Sequence, residues 1–556
     1  MDDQTKPKVI GAVMLILPLV AWFAVAKGYY GFTPQTAHDR VFYMVRNTFQ
    51  LWPLWGALVG GEVIAITGLV IGFKLTKTPF AGASYTRFYR GTTMANPATL
   101  ARLTKDKEKR PQITIADVPI PIEAETTHFS IGGATGTGKS TIFKEMIVGV
   151  RRRGERMVIL DPDGDYFKTF GRPGIDKILN PYDARTEGWS FFNEIANHYD
   201  FDRMAMSMIQ PSKDHQSEEW NDYARKLLVA VAAKLKQNTE APTIQDVYHH
   251  TNIMPKEELA AYVAGTPAAG IFVDGADKAI GSTRFVLASK MAPHMKMPDG
   301  TFSLHKWLSE PDGSNLFITW DDNMKESLRP IISTWADAIF SASLGLPPDR
   351  DRRIWVFLDE LESLSYLPTL NDALTKGRKK GLCVVTGYQS YSQLIDVYGK
   401  DVAETMLSNH RTTVAMAVGR SGTTTAKHMS EAIGQHEIMR HRHSRSIGLS
   451  ANGNAGEADD IRVENTVLPA EIMALPNLQG YLAFPGDLPV TKFKLRHVNY
   501  TRSKPVPGIV PREGDLAPLS DETPPDTAPD EAQEEKTPEP ANDAQKATGP
   551  KKVLKR

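Results

Sequence analysis

Cysteine is almost absent. Cys383 is the one thiol in 556 residues, so no intrachain disulfide can form, and so little cysteine in a chain this long reads as reduced and intracellular. Neither sign of charge is in excess, because 65 Lys and Arg balance 65 Asp and Glu. That balance excludes a uniformly basic, histone-like nucleic-acid binder, since no global field holds phosphates, though it permits local basic surfaces. Clusters of Cys and His with metal-ligand spacing are lacking, as is a serine-centred nucleophile elbow. Two patterns come near. Asp161-x-Asp163-x-Asp165 opens like a calcium loop, but Tyr166 stands where glycine is required and Arg172 where the twelfth-position acid belongs. A strand end with an Asx-type turn fits that stretch better. His436-Glu437 followed by His441 resembles a zinc-protease motif, but its histidines are five apart instead of four and leave the shared helix face.

The rest of the composition is that of a folded protein, 41% hydrophobic and 23% charged. At roughly 150 residues per domain the length suggests about three or four domains. The amino-terminal end carries long apolar runs. Val9 to Ala26 is 18 residues without a charge, and Leu51 to Phe73 is 23 residues with only Glu62 charged and with Trp52 and Trp55 at its start. Each is about long enough to cross ~30 Å of hydrocarbon, and the tryptophans match an interfacial aromatic belt. A cleaved signal peptide competes for the first run, with Ala24-Val25-Ala26 as its small-residue site. The spacings Gly56-x-x-x-Gly60 and Gly68-x-x-x-Gly72 permit close helix packing. Between Lys74 and Arg110 stand nine Lys and Arg against two acids. By the positive-inside rule this predicts a multi-pass membrane hairpin over residues 1–73, with spans at about 9–26 and 51–73 and the bulk of the chain cytoplasmic.

After the apolar stretch Phe129 to Ile131 comes Gly133, Ala134, Thr135, Gly136, Thr137, Gly138, Lys139, Ser140, a complete G-x-x-x-x-G-K-[ST] match, with Thr141 behind it. The chemistry explains the spacing. Glycines let backbone N–H groups curl around the β-phosphate, Lys139 reaches the β- and γ-phosphates, and the Ser140 hydroxyl binds Mg²⁺. The periodicity over 140–153 predicts the helix that such a loop requires. ATP and Mg²⁺ are therefore the expected cofactors. A second strand, Ile354 to Leu358, ends at Asp359 and Glu360. Asp359 would hold the Mg²⁺ shell and Glu360 would polarise the attacking water. A third strand, Leu382 to Thr386, leads to Gln389, read as a sensor of the γ-phosphate lying between the other two strand ends. Just upstream, Arg378 in the basic turn Thr375 to Lys380 could reach a neighbouring subunit's nucleotide as an arginine finger.

More than 200 residues separate Lys139 from Asp359, and from about Gly188 to Gly300 the pattern is helical, which predicts an all-α insertion. The domains expected are thus a hairpin at 1–73, a basic linker and first motor segment at 74–189, the insertion at 190–300, a second motor segment at 301–502 and a tail at 503–556. Arg440 to Arg445 reads as a basic flexible loop that could line a nucleic-acid channel. From Ser503 onward ten prolines, eleven acids and eight bases predict a disordered acidic tail.

Together these features resemble the type IV coupling proteins of conjugative secretion, of the TrwB/TraD group. The resemblance covers roughly Lys8 to Val498 and includes the distinctive stretches Asp161-Pro-Asp-Gly-Asp165, Leu179-Asn-Pro181, Gly188-Trp-Ser-Phe-Phe-Asn193, Ile332-Ser-Thr-Trp335 and Gly480-Tyr-Leu482. It implies a hexameric inner-membrane ATPase with a RecA-like α/β motor domain, an inserted all-α domain and a preceding transmembrane hairpin. It also implies partners: single- or double-stranded DNA, a relaxase with its relaxosome accessory proteins, and type IV secretion channel components including inner-membrane subunits. It carries Lys139, Ser140, Asp359, Glu360 and Gln389 into the nucleotide site and matches Arg378 as a finger acting in trans. The reading expected is a DNA-stimulated ATPase that drives conjugative DNA transfer. A cargo receptor that does not pump DNA is the alternative, followed by a chromosome translocase of the FtsK/HerA kind, which would be expected to end in a DNA-reading winged helix.

Overall fold

The computed structural model describes residues 5–31, 37–75, 87–445 and 455–500 apart from 274 and 365, together with 502 and 504–512. Two apolar helices, Thr5–Tyr30 and Trp52–Leu75, flank the amphipathic helix Ala37–Arg46. They pack on each other around Trp22, Ala26, Met44 and Leu54. They pack closely at Gly61, where a Cβ would lie 2.6 Å from the Pro18 Cα, while a Cβ at Gly56 or Gly60 would meet nothing within 4 Å. The multi-pass membrane placement expected above is overturned: no helix among the described residues is long and apolar enough to cross a membrane. Lys27 falls inside the first helix and Glu62 inside the third, so charge interrupts the apolar stretch of each.

The centre of the chain is one ten-stranded sheet. In chain order its strands are β1 (Met94–Ala95), β2 (Phe129–Gly132), β3 (Arg156–Pro162), β4 (Lys177–Leu179), β5 (Leu316–Trp320), β6 (Ile354–Leu358), β7 (Leu382–Tyr388), β8 (Thr412–Met416), β9 (Gln479–Ala483) and β10 (Val490–Lys494). Across the sheet they run β1-β10-β9-β8-β2-β7-β6-β3-β5-β4. The seven from β8 to β4 are parallel, whereas β9 pairs antiparallel with both β8 and β10. The middle strands read as continuous apolar runs because both faces are covered, as parallel sheets require. In β6 every residue is buried, and the period of two sends Ile354, Val356 and Leu358 into one core and Trp355 and Phe357 into the other. Strand β7 therefore lies between the strand that precedes the glycine loop and the strand that ends in Asp359.

Between β4 and β5 the described chain is helical, the longest elements being His198–Met208, His215–Asn238 and Asp277–Met295. Caps mark helix starts: Asp214 before His215–Asn238 accepts from the Ser217 amide at 2.8 Å, and Thr243 before the short helix Ile244–Tyr248 accepts from the Asp246 amide at 3.1 Å. The excursion leaves and returns through one neck, where the Phe302 amide donates to Gly188 O at 3.1 Å and the Trp189 amide to Pro298 O at 3.0 Å.

Two expectations change. Arg440 to Arg445 is not a loop, because Gln435–Arg445 is a strand paired antiparallel with Ala455–Asn465 and, at its start, with Arg87–Gly91. The register sets Arg440 opposite Asp460 and His441 opposite Asp459, so the backbone is taken up in a main-chain ladder and is not left to solvent. The side chains of 440–445 lie outside the described residues, and so does their reading as a channel lining.

The expected tail boundary at 503 also shifts, and residues 513–556 lie outside the described residues. The chain at 504–510 is docked: Ala184 N–H donates to Val510 O at 2.8 Å, and the Arg185 guanidinium donates to Pro507 O and Gly508 O at 3.0 and 2.8 Å. Asp183, fully buried, accepts from the Val510 amide at 3.2 Å. Prolines lower the entropy cost of this extended strap, and buried Asp183 supplies the partner that composition could not reveal. A chain ending at residue 502 is expected to be ~1–3 kcal/mol less stable than one ending at residue 510, read as a lower melting temperature.

Candidate functional site

The glycine loop connects β2 to the helix Lys139–Arg153. Gly138 sits at φ 116 as the residue before that helix, and a Cβ there would also meet the Leu478 side chain at 2.9 Å. Only glycine tolerates both constraints. The loop is held from beneath, with Gly133 N–H donating to Tyr388 O at 3.1 Å and Ala134 N–H to Ala417 O at 2.8 Å. Lys139 is buried, and its Nζ donates to Gly133 O and Ala134 O at 2.7 and 3.2 Å. Desolvation lowers the ammonium pKa, opposed by the nearby carboxylates of Asp359, Glu362 and Glu360.

Ser140, in the first turn of the helix, donates from Oγ to Asp359 Oδ2 at 3.0 Å, and the Tyr166 hydroxyl donates to the same oxygen at 2.5 Å. Burial raises the Asp359 pKa, against hydrogen bonds from Tyr166 and Ser140 and the charge of Lys139 that favour its ionised form. Tyr166 is placed by Asp161, at the end of β3. The fully buried Asp161 carboxylate accepts from the amides of Tyr166 and Phe167 at 2.8 and 2.7 Å. Burial pushes its pKa up to about 8, with those two amides acting in the other direction.

On the other side of the loop Gln389 joins three elements. Its side-chain Oε1 accepts from Thr135 Oγ1 at 2.8 Å, its Nε2 donates to Glu360 Oε1 at 2.8 Å, and its backbone N–H donates to Glu362 Oε1 at 2.6 Å. Burial pushes Glu362 up to about 7. Lys325 pairs with Glu360 Oε2 at 3.4 Å. The fold thus brings Thr135, Lys139, Ser140, Asp359, Glu360 and Gln389 to the carboxyl ends of three adjacent parallel strands.

Arg378 is not brought there. It is exposed in the short helix Gly377–Lys380, before the amino end of β7, whose far end leads to Gln389. The seven residues of β7 span ~23 Å. Four residues of the site were not marked by the motifs: Tyr166, Glu362, Lys325 and Asp161. Asp161 ends an apolar run as Asp359 does, and Glu362 follows two residues after Glu360, so both carried a faint signal. Lys325 carried none.

Residues 112–496 match the family model of the type IV secretion-system coupling protein DNA-binding domain. The chain belongs to this coupling-protein family. The coupling protein TraD of Escherichia coli (strain K12) is 31% identical over 504 residues, covering 87% of this chain and 69% of TraD. The coupling protein VirD4 of Bartonella henselae is 23% identical over 354 residues, and the chain spans about half of its length, 53%. Among solved structures, the plasmid coupling protein TrwB in complex with ADP and Mg²⁺ superposes with a TM-score of 0.70 at 43% identity, over 78% of this chain and 98% of TrwB. TrwB bound to the non-hydrolysable ATP analogue ADPNP gives 0.71 at 42% over the same share of this chain and all of TrwB. The coupling-protein fold here is accordingly a RecA-like α/β fold, with β7 between the loop strand and the acidic strand.

Proposed function

We propose that this coupling protein binds ATP with Mg²⁺ and hydrolyses it, stimulated by DNA, to drive conjugative DNA transfer through a type IV secretion channel. The observation that carries the reading is the convergence of Lys139, Ser140, Asp359, Glu360 and Gln389 on one loop. The oxygens of Ser140 and Asp359, 3.0 Å apart, form a hard donor pair suited to Mg²⁺. These two residues would hold the ion, which supplies charge neutralisation for the phosphates. Lys139 leaves its loop carbonyls to meet the β- and γ-phosphates, and the amides at the start of helix Lys139–Arg153 bind the same oxygens. Glu360 accepts the proton of the attacking water, and Gln389, already bonded to both Thr135 and Glu360, reports whether the γ-phosphate is present.

The position of Arg378 supports assembly into a ring, expected to be hexameric. It stands ~23 Å of strand away from its own chain's loop, so it serves catalysis only by reaching a neighbour's nucleotide. The relaxase-bound strand, the relaxosome and the secretion channel follow from family membership as the partners. Steady-state ATP hydrolysis, measured with and without single-stranded DNA, tests the reading. DNA should raise the rate, and Arg378→Ala should lower it without changing nucleotide affinity in isolated subunits. A native chain that binds ATP but does not turn it over with DNA present would refute it.

A further inference from the structure

Lys325 is the first residue of the helix Lys325–Gly345, which follows β5 and so begins directly after the helical excursion has returned to the sheet. It reaches Glu360 Oε2 at 3.4 Å and has Asp322 Oδ1 at 4.0 Å. Gln389 occupies the other Glu360 oxygen at 2.8 Å. The carboxylate that the hydrolytic reading assigns to water activation is therefore held at both oxygens, one by a neutral amide at the loop and one by a cation from a different element.

The same helix is the platform on which the excursion rests. Ser207, in helix His198–Met208, donates from Oγ to the fully buried Asp337 at 2.5 Å. Trp335 meets Trp189 of the neck edge-on at 5.7 Å, and Trp189 in turn lies 6.2 Å from His294 of helix Asp277–Met295. Trp335 and Trp189 are buried, as is Asp337, so the packing leaves little play between the excursion and this helix. Lys325 is different. Its side chain is 23% exposed and that of Glu360 33%, which makes their pair weakly held and readily exchanged for water. One rigid helix thus joins a firmly packed contact with the excursion to a loose contact with the catalytic carboxylate.

We infer that Lys325 is a positioning residue that latches Glu360 in a resting arrangement, and that displacement of the helical excursion by bound DNA withdraws it. This rests on the hydrolytic reading above. It assigns the coupling between DNA and hydrolysis to one ion pair, in which the Lys325 ammonium leaves Glu360 Oε2 and a water molecule takes its place.

The test is the steady-state kinetics of Lys325→Met in the full chain, with and without single-stranded DNA. The DNA-free kcat should rise about one-and-a-half- to fivefold, the factor that a partly exposed ion pair's energy converts to. KM should stay unchanged and the DNA-stimulated rate should remain native, so the stimulation ratio falls by the same factor. Lys325→Gln should behave alike, and Lys325→Arg should restore the native ratio. A native ratio in both neutral variants overturns the latch, as does a fall in both rates, which would make Lys325 a support for catalysis. Glu360→Gln separates the two levels. If it hydrolyses ATP at the native rate, the hydrolytic reading fails and the latch with it. If it is inactive while Lys325→Met keeps the native ratio, the latch alone fails.

Discussion

Glu360→Gln is expected to bind ATP as tightly as the native chain and to hydrolyse it ~10²–10⁴-fold more slowly, the usual contribution of a positioned general base. The substitution keeps the size and planarity of the side chain. Its carbonyl oxygen still accepts from Gln389 Nε2, now 2.8 Å away, so the link to Thr135 survives and the loop keeps its shape. What is lost is the proton acceptor. Binding of a fluorescent nucleotide and single-turnover hydrolysis, measured side by side, separate the two effects. Plasmid transfer by cells carrying the variant then decides between motor and receptor. Transfer at the native level would sink the motor reading and leave nucleotide binding as an ordering signal for cargo.

Lys139→Ala should instead abolish tight binding, weakening ATP affinity by about 10²-fold or more, as expected for losing charge-assisted hydrogen bonds from one ammonium in a partly desolvated site. The fold should survive. The Lys139 ammonium is satisfied by two carbonyls of its own loop, and removing a buried, desolvated cation also removes the cost of burying it. Calorimetric titration with a non-hydrolysable analogue checks the affinity, and the melting temperature checks the fold. Near-native affinity would mean that Lys139 remains with Gly133 and Ala134 and never reaches the phosphates.

The two substitutions probe residues that lie 221 positions apart in the chain yet were legible together. The glycine loop announces itself because its chemistry demands particular residues at consecutive positions, and Asp359-Glu360 because the five apolar residues before it read as a central strand buried on both faces. Placing Gln389 between them needed only the order of strands that such motors share. Corrections fell where local pattern and tertiary context disagree. Arg440 to Arg445 has the charge of a solvated loop, but the strand that pairs with it comes from ten to twenty positions further on. Residues 504–510 have the composition of a disordered tail, but buried Asp183 and Arg185 capture their backbone. The apolar runs near the amino terminus had the composition of membrane spans, whereas no helix among the described residues is long and apolar enough to cross a membrane.

The sequence by itself determined the phosphate loop, its acidic partner strand and the helical nature of the long excursion, because each depends on residues near one another in the chain. Only the tertiary structure decided what holds them in place. Tyr166 on Asp359, Asp161 behind Tyr166, Glu362 beneath Gln389 and Lys325 on Glu360 are contacts between separate elements. The physical reason is that a hydrogen bond or an ion pair constrains distance in space and leaves no period or spacing along the chain. The residues around the loop were therefore readable from their motifs, and the contacts that hold them became visible when the strands and helices were set side by side.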